Sequence, residues 1–330
     1  MCRLPLPRSL ISHGKFNKCL RAPWQCNRDF SVSRMTSDLT PFTRRMLKLP
    51  SPPSPPSPQH NDINSFLSYA ERTALPSAST VYVGTHYEYT VLQSLRQFAF
   101  ALHRIGGRDD AGIDLVGTWH LPEREGERAL RVLVQCKALK TKLGPNIVRE
   151  LEGALRQAPV GWRTDQTVGI LVSPREATKG VREALARSKF PLFWMMLEPN
   201  GTLKQALWNI RAEQLGLGAL GVESRYGTAP ETTQSRQARS MTKEVALTWV
   251  GRDIPGMDHV EKSLLEHEDQ WLRSWGVDSS IKKEKLLDII EEVFPDGPPE
   301  RQADGSFSTA DQARILQSLA GKLQPNQLQK

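Results

Sequence analysis

Between about residues 78 and 217, apolar positions repeat with the period of a helix in some segments and of a strand in others. The segment 84–106 predicts one helix that ends at two glycines, because its apolar residues recur every three or four positions. These residues are Val91, Leu92, Leu95, Phe98 and Leu102. Two strand-like runs follow, GIDLVGTWHL (112–121) and LRVLVQCKAL (130–139), and the polar segment between them predicts a hairpin.

Helices and apolar strands alternate after the hairpin. Helices are predicted near residues 146–157, 177–188 and 203–214, and the strands TVGILVSP and FPLFWMML lie between them. Continuous apolar strands are typical of a sheet that helices cover on both faces. The sequence therefore predicts an α/β fold with a central mixed β-sheet flanked by helices.

The rest of the chain has the composition of linkers and tails. The Pro/Ser tract KLPSPPSPPSPQH predicts an extended linker, and NDINSFLSYAERTAL after it predicts a short helix capped at Asn61, Asp62 or Asn64. Thr, Ser, Gln, Gly and Arg dominate residues 218–243, which predicts a second, flexible linker. We expect a helical, partly disordered C-terminal extension, with helices in HVEKSLLEHEDQWLRSW, in SIKKEKLLDIIEEVF and near residues 309–323.

The formal net charge of +8 is concentrated at the N-terminus. Residues 1–28 contain six Arg or Lys residues and no acidic residue, which is typical of a mitochondrial transit peptide. The stretch RDFSVS fits a processing site between Phe30 and Ser31; a disordered basic arm is the alternative interpretation. Removal of residues 1–30 leaves a charge near +3 and Cys136 as the remaining cysteine, which excludes an intramolecular disulfide and a Cys-based metal site.

The predicted organisation has five parts, and none of them contains a membrane span. No run of about 18 apolar residues is present in the sequence. The parts are a transit peptide (1–30), a Pro/Ser-rich linker with a short helix (31–77), the α/β domain (78–217), a flexible linker (218–243) and the C-terminal extension (244–330).

Polar side chains interrupt the two strands of the hairpin. Because side chains alternate across a strand, Asp114 in the first strand can meet Gln135 and Lys137 of the second on one face. Glu88 projects from the apolar face of the preceding helix toward the same region. Two carboxylates, an amide oxygen and an ammonium group suit a hard cation such as Mg²⁺ and the hydrolysis of a phosphodiester.

Each of these residues also has a purely structural interpretation. In the structural interpretation of Glu88, its carboxylate forms an ion pair with Arg104 or Lys137. In that of Lys137, the ammonium group extends to the solvent at the sheet edge. We expect the adjacent Asp109 and Asp110 to be solvated in a loop or to form a turn rather than to bind a metal. The Cys136 side chain alternates away from the site and is expected to be a small core residue.

The order of Glu88, then DDAGIDL, then VQCK resembles the Mrr-like (type IV restriction endonuclease) branch of the PD-(D/E)xK nuclease superfamily. The helices and strands after the hairpin follow that branch's order, and the resemblance covers about residues 84–217. With its basic N-terminus, the chain also resembles the fungal mitochondrial "required for respiratory growth" proteins that carry this domain. The resemblance implies a restriction-endonuclease-like core that binds Mg²⁺ or Mn²⁺.

The resemblance also implies a role for each site residue. Asp114 would be the main metal ligand, and the side chain of Gln135 or the backbone carbonyl of Cys136 would complete the protein's share of the coordination. Lys137 would be the catalytic lysine, and Glu88 an accessory acid for the metal or the attacking water. Gln135 stands where most of the superfamily has Glu, so the metal site has one negative charge fewer.

Five basic residues on predicted loops and helix starts are candidates to bind a nucleic-acid backbone, although mixed charge on a solvated surface is equally ordinary. They are Lys140, Lys142, Arg149, Arg175 and Lys179. The leading hypothesis is a mitochondrial, Mg²⁺-dependent endonuclease that acts on DNA, as a possible homodimer. The alternative hypothesis is a catalytically inactive protein of the same fold that binds nucleic acid. The acidic C-terminal helices either fold back on this basic surface or bind a partner.

Overall fold

The computed structural model describes residues 39–106, 112–122, 129–228, 241–277, 282–295, 299, 302 and 306–322. All of them lie in one compact unit, Ser37–Lys330. The predicted transit peptide, its processing site, and Asp109 and Asp110 lie outside the described residues.

The centre of the fold is a six-stranded mixed sheet whose strands lie side by side in the order of the sequence. The first three strands are joined antiparallel, the third to fifth run parallel, and the sixth is antiparallel to the fifth. The strands are β1 (Phe100–Arg104), β2 (Leu115–Trp119), β3 (Leu130–Cys136), β4 (Thr167–Ser173), β5 (Leu192–Leu197) and β6 (Leu203–Trp208). The predicted α/β class and the predicted hairpin, β2–β3, are therefore confirmed.

Helices accompany the sheet and form the two ends of the described chain. They are α1 (Pro41–Met46), α2 (Ile63–Arg72), α3 (Thr80–Leu95), α4 (Asn146–Arg156), α5 (Lys179–Arg187), α6 (Ile210–Gln214), α7 (Met257–Ser274), α8 (Lys283–Val293) and α9 (Thr309–Lys322). The short helix predicted after the Pro/Ser tract is α2, and its cap is Asp62, which accepts a hydrogen bond from the Ser65 backbone amide. Helices α4 and α5 connect parallel strands, as crossover helices do.

Each face of the sheet has its own apolar core. On one face Val116, Leu133 and Leu171 pack under α4 and α5. On the other face the alternate residues, such as Leu115 and Val134, pack under α3. Because successive side chains of a strand point to opposite faces, strands this apolar supply both cores at once.

The predicted helix over residues 84–106 is wrong in its second half. Helix α3 ends at Leu95, a 3₁₀ turn follows, and Ala99 takes a left-handed conformation with φ of 64°. The chain then reverses into β1, which pairs with β2. Phe98 and Leu102 have the spacing of one helix face, whereas Phe100 and Leu102 alternate as in a strand, and the chain forms a strand from Phe100 because it pairs there with β2.

The predicted helix near residues 203–214 is also wrong in part. Residues Leu203–Trp208 form β6, which returns antiparallel to β5 after a tight turn at Gly201, where φ is 84°. Helix α6 begins only after Asn209, whose side-chain oxygen accepts hydrogen bonds from the backbone amides of Ala212 and Leu192. That side chain ends the strand and caps the helix.

A second sheet of three antiparallel strands begins in the segment predicted as a flexible linker (218–243) and continues into the predicted C-terminal extension. Its strands are β7 (Leu220–Thr228), β8 (Met241–Trp249) and β9 (Arg252–Asp253), and residues 229–240 are not among the described ones. Val245, Leu247 and Trp249 alternate along β8 and complete the core beneath α3. Polar residues dominate β7, and Val222–Tyr226 are exposed, so composition alone indicated a linker.

The C-terminal helices form a third core together with α1. Phe42 of α1 packs edge-on against Trp271 of α7, with 5.0 Å between ring centroids. Buried Glu268 accepts hydrogen bonds from the Thr40 and Thr43 hydroxyls and from Lys283. After β9, the described part of the C-terminal extension is thus helical, as predicted, and the segment before the Pro/Ser tract supplies part of its core.

The acidic C-terminal helices form ion pairs with two arginines that are not among the predicted phosphate-binding residues. Arg96 pairs with Asp258 at 2.7 Å and with Glu261 at 3.1 Å. Arg45 of α1 pairs with Glu291 at 2.6 Å and with Asp288. The described C-terminal helices thus pack on the rest of the chain through Arg96 and Arg45, and the two predicted alternatives, folding back on the basic surface or binding a partner, stay predictions.

Candidate functional site

The candidate site lies at one edge of the main sheet, where β3 and β4 end and β2 begins. Asp114 immediately precedes β2, and its backbone amide donates to the Val134 carbonyl at 3.0 Å. The Asp114 carbonyl accepts from the amides of Ile105 and Gly106, each at 2.8 Å. The backbone of Asp114 is therefore held between β3 and the residues that follow β1.

The Asp114 carboxylate continues the pairing of β2 with β3. Its Oδ2 atom accepts a hydrogen bond of 2.6 Å from the backbone amide of Cys136, at the end of β3. In an extended strand the N–H and C=O of one residue point to the same side, so the Cys136 carbonyl also leaves β3 toward β2. The structure thus brings together Asp114 and the Cys136 backbone.

Gln135 is buried at the same end of β3. Only 3% of Gln135 is exposed, and its side-chain oxygen, Oε1, makes no hydrogen bond to a described residue. An unpaired buried amide oxygen costs about 1–3 kcal/mol, so its position requires an explanation. The Nε2 atom lies 3.0 Å from the place that a Cβ would take on Gly112, whose φ is 78°. Glycine at 112 therefore provides both the turn and the room for the amide.

Glu88 reaches the site from α3, but an arginine neutralises it. Arg104 Nε donates to Glu88 Oε2 at 2.5 Å, and the two side chains are 11% and 13% exposed. Of the two partners considered for Glu88, Arg104 and Lys137, it is Arg104 that forms the ion pair in the structure. A Cβ on Gly106 would lie 3.2 Å from both Glu88 Oε2 and Asp114 Oδ1, so the two carboxylates flank Gly106.

Lys137 lies at the same edge and pairs with α4. Its amide donates to the Val172 carbonyl at 2.8 Å, and its Nζ is 3.4 Å from Glu150 Oε2. The Lys137 ammonium is partly exposed. Glu150 was not predicted as a site residue, since the helical period alone does not indicate which polar residue of α4 faces the strand end.

The Cys136 side chain packs with the core beneath α3, as its alternation predicted. Burial raises the pKa of the thiol well above its usual value, and the charges of Asp114 and Glu88 raise it further, while Arg104 opposes them. A protonated, buried thiol is a poor nucleophile and a poor metal ligand.

The five basic residues predicted to bind phosphate are brought to this edge. Lys140 and Lys142 lie in the loop after β3 and Arg175 in the loop after β4, while Arg149 and Lys179 occupy the first turns of α4 and α5. All five are exposed. Lys179 is 3.9 Å from Glu183, and the other four form no ion pair with any residue in the described part of the chain. We call these five residues the basic edge.

Two further observations concern metals and membranes. Among the described residues, no group of three or more His, Cys, Asp or Glu side chains is arranged to hold a metal ion. The helices in that part of the chain include none that is long and apolar enough to cross a membrane.

Comparison with known proteins identifies relatives of the α/β domain. Residues 79–129 and 122–226 match the family model described as Required for respiratory growth protein 7. An uncharacterised mitochondrial protein of Schizosaccharomyces pombe is 36% identical over 156 residues, covering 46% of this chain and 61% of that protein. The match therefore spans less than two thirds of that relative. No solved structure is significantly similar to the chain.

Two further relatives carry the family's name, Required for respiratory growth protein 7, mitochondrial. The Saccharomyces cerevisiae protein is 28% identical over 171 residues, covering 40% of this chain and 71% of the relative. The Zygosaccharomyces rouxii protein is 27% identical over 173 residues, covering 41% and 72%. These relatives confirm the mitochondrial location that the basic N-terminus predicted.

Proposed function

We propose, because the chain is similar to mitochondrial proteins required for respiratory growth, that it supports respiratory growth as a Mg²⁺-dependent endonuclease acting on DNA. The observation that carries the proposal is the meeting of Asp114, Gln135 and the Cys136 backbone at one end of the hairpin. The basic edge, which lies at the same end of the sheet, would hold the phosphate backbone.

The donor atoms at the site suit a hard divalent cation. Gln135 Oε1 is a buried oxygen without a described partner, and a cation would satisfy it. Asp114 would supply the negative charge, and the Cys136 carbonyl a neutral oxygen on the same side of β3. When bound, Mg²⁺ or Mn²⁺ would supply positive charge that stabilises the phosphoryl transition state.

Lys137 would act on the attacking water in this proposal. Its side chain is partly exposed and its pairing with Glu150, at 3.4 Å, lies near the surface. An exposed ion pair contributes only about 0–1 kcal/mol, so the ammonium can leave Glu150 at little cost. It would then orient the water or balance charge on the phosphate. Paired cuts in duplex DNA would favour a homodimer.

A binding function without cleavage is the second proposal, and one observation favours it. Arg104 neutralises Glu88, and residue 135 is an amide, so neither position adds net negative charge to that of Asp114. A site with so little negative charge would bind Mg²⁺ weakly. The basic edge would still bind nucleic acid.

The two proposals differ in their dependence on Asp114. Purified protein without residues 1–30 is incubated with supercoiled DNA and Mg²⁺ or Mn²⁺, beside Asp114→Ala, Lys137→Ala and the control Asp165→Ala. Asp165 is exposed before β4, at the opposite edge of the sheet. The endonuclease proposal expects nicking that both site variants lose and the control keeps; nicking that survives both site changes would refute it.

The same Asp114→Ala change then separates the proposals in cells. In a strain that lacks the protein, the variant fails to restore respiratory growth if cleavage is required. It restores growth if binding is sufficient. Immunoblots of mitochondria show whether the variant accumulates to the normal level, and Asp165→Ala serves as the matched control.

A further inference from the structure

Arg104 lies at the centre of a chain of contacts that leads away from the candidate site. On one side it donates to Glu88 Oε2 at 2.5 Å. On the other its guanidinium carbon is 5.4 Å from the centroid of the Tyr89 ring. The Tyr89 hydroxyl donates to the His60 carbonyl at 3.1 Å and lies 2.8 Å from His60 Nδ1. The end of the Pro/Ser tract is thereby connected to the site.

The neighbours of Arg104 on the far side carry no charge at neutral pH. Burial raises the pKa of the Tyr89 hydroxyl, and the nearby Arg104 only partly opposes this effect. Burial and the Arg104 charge lower the pKa of His60. Glu88 is thus the one acidic group among the described residues that forms an ion pair with Arg104.

The ion pair determines how much charge the site offers to a cation. Glu88 Oε2 and Asp114 Oδ1 both lie 3.2 Å from the position that a Cβ would take on Gly106, so the two carboxylates lie close together. A cation bound at Asp114 would therefore be near Glu88 and near the Arg104 guanidinium that pairs with it. A charge-assisted hydrogen bond between largely buried groups is strong, and it occupies the Glu88 oxygen that lies beside Gly106.

We propose that Arg104 is a positioning residue that limits divalent-cation binding at Asp114, by holding Glu88 as a neutralised carboxylate. Tyr89 and His60 keep Arg104 in place against Glu88. The inference rests on the proposed cation site and concerns its regulation: any movement of the His60 segment that releases Arg104 would add a second carboxylate to the site.

Binding of Mn²⁺ to the full protein without residues 1–30 tests this inference directly. Mn²⁺ affinity is measured by titration calorimetry for the wild type, Arg104→Met, Glu88→Gln and the double variant. Arg104→Met removes a positive charge and releases Glu88, so Mn²⁺ should bind about 10-fold more tightly or better. Glu88→Gln leaves Arg104 unbalanced, and affinity should fall about 10-fold.

The double variant separates charge balance from direct ligation. Loss of both members of the pair leaves the net charge of the site unchanged, so its Mn²⁺ affinity should stay within about 3-fold of the wild type. If Glu88 is itself a ligand in the wild type, the double variant instead loses affinity, which would overturn the inference. Replacement of both partners also avoids a buried unpaired charge, so this variant should fold if Arg104→Met does not.

The outcomes also distinguish this inference from the proposed function. If Arg104→Met gains Mn²⁺ affinity while the wild type neither binds Mn²⁺ nor nicks DNA, the inference holds and the endonuclease proposal fails. If the wild type nicks DNA through Asp114 but Mn²⁺ affinity is the same in Arg104→Met, only the inference fails. If no variant binds Mn²⁺, the inference is refuted.

Discussion

The basic edge makes a quantitative prediction about nucleic-acid binding. We consider the double variant Lys142→Ala/Arg175→Ala, which removes one exposed cation from each of the two loops at the carboxyl ends of β3 and β4. These loops touch, since the Thr178 hydroxyl donates to the Leu143 carbonyl at 3.1 Å. One phosphate backbone passing over both loops would meet both cations.

The size of the effect follows from the number of phosphates that are contacted. Each phosphate contact contributes about −0.9 to the slope of log K against log salt for duplex DNA. If all five residues of the basic edge contact phosphates, the slope is roughly −4.5, and the double variant lowers it in magnitude by about 1.8. Partial pairing of Lys179 with Glu183, at 3.9 Å, makes the wild-type value an upper limit.

Fluorescence anisotropy with a labelled DNA duplex at several salt concentrations measures this slope. The matched control is Lys189→Ala/Arg211→Ala, which removes two exposed cations at the opposite edge of the sheet and leaves the net charge equal to that of the test variant. The control should keep the wild-type slope. Equal slopes for the test variant and the wild type would show that DNA does not lie on the basic edge.

Three further predictions concern stability, each measured by urea unfolding. Gly112→Ala should lower the free energy of unfolding by about 1–2 kcal/mol because residue 112 has a φ of 78°. Gly153→Ala, in α4 with no atom near the Cβ position, should raise the free energy of unfolding by about 0.5–1 kcal/mol. Equal effects of the two changes would contradict this. Phe42→Ala should cost about 3–5 kcal/mol by opening the third core, and an unchanged midpoint would exclude that packing. Burial and the charge of Arg44 lower the pKa of partly exposed His120 to about 4, so the unfolded state binds more protons below pH 6.5. Stability should therefore fall by up to about 2 kcal/mol from pH 6.5 to 4, and His120→Gln should reduce that loss.

The hairpin and the site residues on it could be predicted because both follow from alternation. Asp114 and Gln135 meet since β2 pairs with β3 in a register that places Leu115 opposite Val134. The parallel strands were equally clear, as their apolar runs are too short for buried helices. The exposed basic edge followed from the position of its residues after strands β3 and β4.

Arg104 was one of two partners considered for Glu88, but its position depends on a chain reversal that leaves no mark in the sequence. On one straight helix, residues 16 positions apart are separated by about 24 Å, which excludes an ion pair between Glu88 and Arg104. The left-handed conformation of Ala99 turns the chain back, and no glycine signals it. The contact of Lys137 with Glu150 depends on the rotation of α4, which packing of Ile147 and Leu151 sets.

The packing of α1 against the C-terminal helices has a consequence for the order of folding. Phe42 and Trp271 are in contact although 229 positions separate them in the sequence, and the hydroxyls of Thr40 and Thr43 reach Glu268 over a similar span. Contacts between such distant segments carry the largest loop-closure entropy and form slowly. A chain that enters an organelle with its N-terminus first must therefore hold α1 unpaired until α7 and α8 have followed. We expect this third core to be the last part of the molecule to become protected from hydrogen exchange during refolding.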